Sequence, residues 1–163
     1  MDNITVERIQ RLHPAVRADA MSVYTEITQA LTGRAQVRFA QTLRTIVEQD
    51  ALYAIGRTKP GKKVTNAKGG SSYHNYGLAI DIVLIIDGKE ASYDMVKDFD
   101  GDRVADWMEC VKIFKAHGWS WGGDWEGFKD YPHFEKTFGK TVAQLKALYD
   151  KKRFIEDNQY VVL

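Results

Sequence analysis

At 163 residues the chain has the length of one domain and can bury a real core. Its 44% apolar and 28% charged residues are ordinary for a soluble globular protein, and a net charge of +1 supplies no strong field for nucleic acid or an acidic surface. The single cysteine, Cys110, excludes an intrachain disulfide and a zinc site built from several thiolates.

Residues 4–12 (I-T-V-E-R-I-Q-R-L) predict a short helix, broken at His13-Pro14, and residues 15–31 a second helix ending near Gly33. Residues 37–43 alternate as a strand, and residues 45–55 predict a helix that stops at Gly56. The irregular segment 56–77 is long for a loop inside a compact domain, and such loops are usually functional or disordered. L-A-I-D-I-V-L-I-I, residues 78–86, is a strand followed by a turn at 87–89. It is the longest apolar run, and with Asp81 inside it is far too short to span a bilayer. Residues 103–117 predict an amphipathic helix with Val104, Trp107, Met108, Val111 and Phe114 on one face and Gly118 as its cap. Cys110 falls in that apolar pattern and reads as core. W-S-W at 119–121 and H-F-E at 133–135 predict short strands, residues 140–153 a last helix, and the terminal V-V-L an edge strand or a frayed end. This order predicts an α+β fold, a small antiparallel sheet with flanking helices. The N-terminus lacks the basic region and apolar stretch of a signal peptide, so synthesis in a cytoplasm is expected.

The chemistry concentrates in two stretches. S-S-Y-H-N-Y-G-L-A-I-D, residues 71–81, puts His74 in a turn and Asp81 at the mouth of an apolar strand. A carboxylate there is costly unless it is paired or bound to a metal. D-Y-P-H-F-E, residues 130–135, adds His133. Two histidines and one carboxylate, with a water in the fourth position, are the donor set of a catalytic zinc site, and Asp130 is a candidate general base. On an ideal strand Asp130 and His133 would face opposite ways, but Pro132 disfavours regular pairing, and a turn or bulge would bring both to one site. On spacing alone the three also fit a loop histidine, a salt-bridged aspartate and a packed core histidine.

D-F-D-G-D-R-V-A-D-W-M-E, residues 98–109, sets oxygens of Asp98, Asp100, Asp102, Asp106 and Glu109 at positions 1, 3, 5, 9 and 12, the spacing of a calcium loop. Arg103 stands where position 6 calls for glycine, and no helix is expected before the loop. The other reading is that these aspartates cap and charge the start of the following helix. W-S-W-G-G-D-W places Trp119, Trp121 and Trp125 either in core and rim packing or along a groove. Asp124 either hydrogen-bonds a ligand histidine or is solvated.

Ser72, His74, Gly77, Ala79 and Asp81 form S-x-H-x-x-G-x-A-x-D, which resembles the pattern of the zinc-dependent D-alanyl-D-alanine carboxypeptidases and dipeptidases. The wider run from Gly56 to Asp81, with W-G-G-D-W and D-Y-P-H-F-E after it, resembles one branch in particular. That branch holds the L-alanyl-D-glutamate endopeptidases of phage endolysins and bacterial cell-wall hydrolases, and the resemblance runs over about residues 4–139. It implies one zinc ion held by His74, Asp81 and His133, with Asp130 as general base where carboxypeptidase-like members carry glutamate. It also implies that Arg44, in L-R-T-I-V-E-Q with Gln49, polarises the scissile carbonyl or holds a substrate carboxylate. Arg57 is a second candidate for the acidic D-Glu unit, and Ser72 would orient a ligand near the metal. The alternative for each arginine is a structural salt bridge, and for Ser72 a turn.

The length predicts a single domain over 1–163, catalytic by the resemblance, and the short C-terminal tail leaves no separate wall-binding domain expected. Its partner would be a peptidoglycan stem peptide, with no nucleic acid, no stable membrane insertion and a monomeric state. It would act on the cell wall after release by a phage holin or another route. The same scaffold also admits a D-Ala-D-Ala carboxypeptidase or dipeptidase, or a non-catalytic zinc-containing wall-binding module.

Overall fold

Helix starts follow the caps that the sequence supplies. In the computed structural model, which describes residues 1–155 and 159–163, helix α1 (Asn3–Gln10) begins after Asp2, whose carboxylate accepts from the Thr5 N–H. Helix α2 (Pro14–Ala30) carries Pro14 in its first turn, where a missing N–H removes no helical bond. His13 caps it, its Nδ1 accepting from the Ala15 N–H. Helix α3 (Ile46–Ala54) opens with a reciprocal box between Thr45 and Glu48. Helix α4 (Asp106–Ala116) has no side-chain cap bond at Ala105, and α5 (Val142–Asp150) repeats the box with Thr141 and Gln144.

The strands are β1 (Ala35–Gln41), β2 (Ala79–Ile86), β3 (Glu90–Ser92), β4 (Ser120–Trp121) and β5 (His133–Glu135), all paired antiparallel in the order β1-β2-β5-β4. Strand β2 is central. β1 lies along one edge, while β5 at Ala79–Asp81 and β3 at Leu84–Ile86 share the other. This explains its near-continuous apolar sequence. Ile80, Ile82, Leu84 and Ile86 point into the core with Val37, Phe39 and Phe134, beneath α1, α2 and α4. Phe114 of α4 stacks on Phe134 with ring centroids 4.0 Å apart, worth about 0.5–1.5 kcal/mol beyond the area it buries. The alternation that sends Phe134 inward sends His133 and Glu135 to the opposite face, the one that carries Asp81.

The predicted apolar face of α4 needs correction. Trp107, Cys110, Val111 and Phe114 are buried, but Val104 and Met108 are exposed. Val104 precedes the first helical residue, so it cannot extend the helix stripe, and Met108 falls on its flank. The C-terminal V-V-L contributes one isolated bridge, Phe154 with Val161, and the buried His13 ring donates from Nε2 to the Val161 carbonyl at 2.7 Å. No described helix is long and apolar enough to cross a membrane.

His117 ends α4 with both ring nitrogens engaged by carboxylates, Nδ1 with Asp19 at 2.7 Å and Nε2 with Glu26 at 2.8 Å. The hydrogen bonds to Asp19 and then Glu26 raise its pKa above the ordinary histidine value. A raised folded-state pKa means stabilisation that is complete below the unfolded value near 6.5 and lost as pH rises through the folded value. His117→Gln is therefore expected to cost about 1 kcal/mol at pH 6 and distinctly less at pH 9, a modest figure because Glu26 is half exposed. Urea unfolding of both proteins at the two pH values measures this, and equal losses would exclude the charged pairing as the cause.

Candidate metal centre

Three elements bring the candidate ligands together. His74 lies in a 3-10 turn, Tyr73–Tyr76, just before β2. Ser72 caps that turn by accepting from the His74 N–H, and Gly77 ends it at φ +69°. A Cβ at Gly77 would stand 2.5 Å from the His13 backbone nitrogen, so glycine is required there by both conformation and space. Asp81 and His133 are then set directly opposite each other by the β2–β5 register.

Both imidazoles aim their inner nitrogens at one oxygen. His74 Nε2 lies 3.1 Å and His133 Nδ1 3.0 Å from Asp81 Oδ1. One ligand atom from each of the three residues falls within 4.8 Å of the others, a spacing that fits a single ion. The outer nitrogens are also committed, and this decides the fit. His74 Nδ1 is 2.7 Å from the Thr42 carbonyl, which only accepts, so that nitrogen carries the proton and Nε2 keeps the lone pair for a metal. His133 Nε2 is held by Glu135 Oε1 at 2.8 Å, leaving Nδ1 as the inward donor. Such partners on the far nitrogen fix ring orientation and raise ligand basicity.

Without an ion the carboxylates favour a proton on the His133 ring, which a bound metal would displace. Burial opposes ionisation of Asp81, yet its contacts with His133 and then His74 hold its carboxyl well below the usual carboxylate range. Burial would lower the pKa of His133, but the Asp81 and Glu135 carboxylates push it up to about 9.

Asp130 reaches the same site by a tight turn. The His133 N–H donates to the Asp130 carbonyl at 3.2 Å, and the Asp130 N–H donates to Gly122 O at 3.1 Å. A Cβ on Gly122 would come within 2.2 Å of that Asp130 carbonyl, so the turn depends on glycine. The Pro132 carbonyl still accepts from the Ile82 N–H at 3.0 Å, which keeps the sheet joined although proline has no N–H to give. Burial, then the Asp81 charge, raises the Asp130 carboxyl above its ordinary value.

Asp130, His74, Asp81, His133, Arg44 and Ser72 all line one open cleft of about 980 Å³. Arg44 makes no ion pair within 4.0 Å among the described residues; its Nη1 donates to Gln49 Oε1 at 3.1 Å. Fully buried Gln49 also donates to Ala67 O, and Asn75 bonds Gly70, Ser72 and the Arg44 carbonyl. The long 56–77 segment is thereby pinned along the cleft.

Other sequence-level candidates lie elsewhere. Arg57 is not among the cleft-lining residues: it donates to Tyr53 O and Thr65 O and its guanidinium covers the Tyr53 ring. Asp124 does not touch a ligand histidine but pairs with Lys115 at 2.6 Å. Trp119 and Trp121 are buried, whereas Trp125 lines the cleft with its ring 5.2 Å from that of His133. Glu135 was not singled out from sequence, although its position two residues after His133 on a strand puts it on the same face. Lys63 is likewise a cleft residue that no motif marked.

Residues 65–136, which contain all three candidate ligands and Asp130, match the family model described as D-alanyl-D-alanine carboxypeptidase. The chain is 46% identical over 126 residues to the peptidoglycan L-alanyl-D-glutamate endopeptidase CwlK of Bacillus subtilis (strain 168), covering 76% of this chain and 72% of that protein. The chain belongs to the M15 peptidase family. Members of that family are zinc-dependent, in keeping with the His/Asp/His cluster. The L-alanyl-D-glutamate peptidase of Listeria phage A118 is 33% identical over 104 residues, 56% of this chain but 34% of that protein. The crystal structure of Serratia marcescens L-Ala D-Glu endopeptidase ChiX aligns with a TM-score of 0.52 over 83% of this chain and 87% of its own. At 21% identity that likeness is one of fold.

Proposed function

We propose that this M15 peptidase is a zinc-dependent peptidoglycan endopeptidase that hydrolyses the L-alanyl-D-glutamate bond of stem peptides, with residues 1–163 carrying its catalytic domain. The observation that carries the reading is the convergence of His74, Asp81 and His133 with Asp130 and Arg44 in one cleft. The names of the relatives supply the bond.

His74, Asp81 and His133 would hold the ion. When bound, zinc supplies Lewis acidity and a water acidic enough to serve as nucleophile near neutral pH. Asp130 accepts the proton of the attacking water and passes it to the leaving amine, a task suited to a carboxylate whose pKa lies above its ordinary value. Arg44, with its guanidinium oriented by Gln49, holds the acidic D-Glu unit or the charge developing on the carbonyl oxygen. We assign this role to Arg44 rather than Arg57, which does not line the cleft and whose Nη1 is engaged by the Tyr53 and Thr65 carbonyls. Ser72 acts by holding the His74 turn. The site of action is the cell wall, reached by holin release or another route.

The test is digestion of defined peptidoglycan fragments, with and without a zinc chelator, read by mass spectrometry. New termini between L-Ala and D-Glu, abolished by chelation and restored by zinc, are expected. Loss of terminal D-Ala instead would move the substrate to the carboxypeptidase reaction. Zinc binding without any cleavage would favour a wall-binding module.

A further inference from the structure

The segment between β3 and α4 holds a second group of oxygen donors, away from the catalytic cleft. One carboxylate oxygen each from Asp98, Asp100 and Asp106 fall within 4.8 Å of one another, and so do those of Asp100, Asp102 and Glu109. None of the five residues lines the catalytic cleft.

Acidic clusters on surfaces are common, so the decisive observation is burial. The Asp106 side chain is fully buried, and its Oδ2 has no hydrogen-bond partner. Glu109 Oε2 is also buried without a partner. An ionised carboxylate oxygen left unpaired among other carboxylates is doubly unfavourable, through lost hydration and like-charge repulsion, and is relieved by a cation or by uptake of a proton. No side-chain bond caps α4 at Ala105, so N-capping does not account for the cluster, although Asp106 and Glu109 do charge the first turn of the helix.

The backbone is shaped accordingly. Asp98 accepts from the N–H groups of Asp100, Gly101 and Arg103, folding the chain around its own carboxylate. Arg103, at φ +77°, adopts the left-handed conformation that glycine supplies at the sixth position of a calcium loop. The substitution that weakens the sequence pattern therefore leaves the loop path intact. Asp100 ties the loop to the end of α2 through the Thr32 N–H and hydroxyl, both at 3.1 Å.

We propose that residues 98–109 form a calcium site, with the carboxylates of Asp98, Asp100, Asp102, Asp106 and Glu109 and the Val104 carbonyl as its oxygen donors. An all-oxygen donor set of this number suits calcium, whereas zinc prefers four-coordinate sites built mainly on nitrogen or sulfur with at most a carboxylate beside them. The ion joins the end of α2 to the start of α4, the helix whose Phe114 supports Phe134 between the two cleft residues of β5.

The test titrates zinc-loaded protein in chelator-free buffer with calcium chloride, by calorimetry and by thermal unfolding. One Ca2+ per chain is expected, with a dissociation constant between about 10⁻⁶ and 10⁻³ M. At a calcium concentration a hundred times that constant, Tm should rise by about 5–10 °C. Glu109→Gln should weaken binding at least about tenfold, and magnesium chloride should give a much smaller response. No saturable heat and no Tm shift up to millimolar calcium would overturn the proposal, as would an equal response to magnesium or unchanged affinity in both Glu109→Gln and Asp98→Asn. Zinc content and peptide cleavage read in parallel keep the two sites separate: failure of cleavage with calcium bound counts against the peptidase reading alone.

Discussion

Asp130→Asn is expected to retain one zinc per chain and to lose between about 10² and 10⁴ in kcat. The amide matches the carboxylate in shape but cannot accept a proton at neutral pH. The turn that presents residue 130 is made by its backbone, through the His133 N–H and Gly122 O, so the substitution leaves the path of the chain unchanged. The three candidate ligands converge without the Asp130 side chain, which is why metal binding should survive. KM should change little, since the group acts on the proton in flight rather than on the ground-state peptide. Zinc assay of the purified variant and steady-state cleavage of a defined muropeptide read both quantities. Cleavage at the parent rate would strip Asp130 of its role as base, and loss of zinc would make it a ligand.

Much of this site was legible before any coordinates. The pattern in A-I-D-I-V-L-I-I announces a buried strand interrupted by a charge, and the pleat assigns Asp81 to the face opposite Ile80 and Ile82. H-F-E carries the same message in three residues, with Phe134 inward and His133 and Glu135 together on the other side. Spacing could not supply the register that sets Asp81 opposite His133, because that depends on a pairing of strands 52 residues apart. Nor could it supply the turn that carries Asp130 round to His133, which rests on a glycine, Gly122, eight residues earlier. The arginines show the limit most plainly. Arg44 and Arg57 are equally charged in sequence, and only the fold separates one that lines the cleft from one that lies outside it with Nη1 held by Tyr53 O and Thr65 O. Val104 and Met108 fit a helical stripe that begins too late to include the first and turns too far to bury the second.

His133→Ala should lose both zinc and activity, and Glu135→Gln should lose affinity without losing the site. His133 is one of three candidate ligands, and a site left with His74 and Asp81 would have two. The cost extends further, because Glu135 would lose the His133 ring as its partner and Asp81 would keep only His74. The fold should tolerate the change. His133 faces the cleft, while its neighbour Phe134 keeps its stack on Phe114 on the other side of the strand. Zinc carried through gel filtration is therefore expected to fall to a trace in His133→Ala, with the far-ultraviolet circular dichroism of the parent. Glu135→Gln keeps an acceptor for the outer nitrogen but removes the charge that raises the basicity of the ring, and partners of this kind are worth about 10–100-fold in metal affinity. Competition against a chromophoric chelator measures that ratio, and stoichiometric zinc in His133→Ala would show that the ion sits elsewhere. The three variants then divide the cleft by function: Asp130→Asn separates chemistry from metal, Glu135→Gln grades the metal, and His133→Ala removes it, an order that a merely structural role for these residues would not produce.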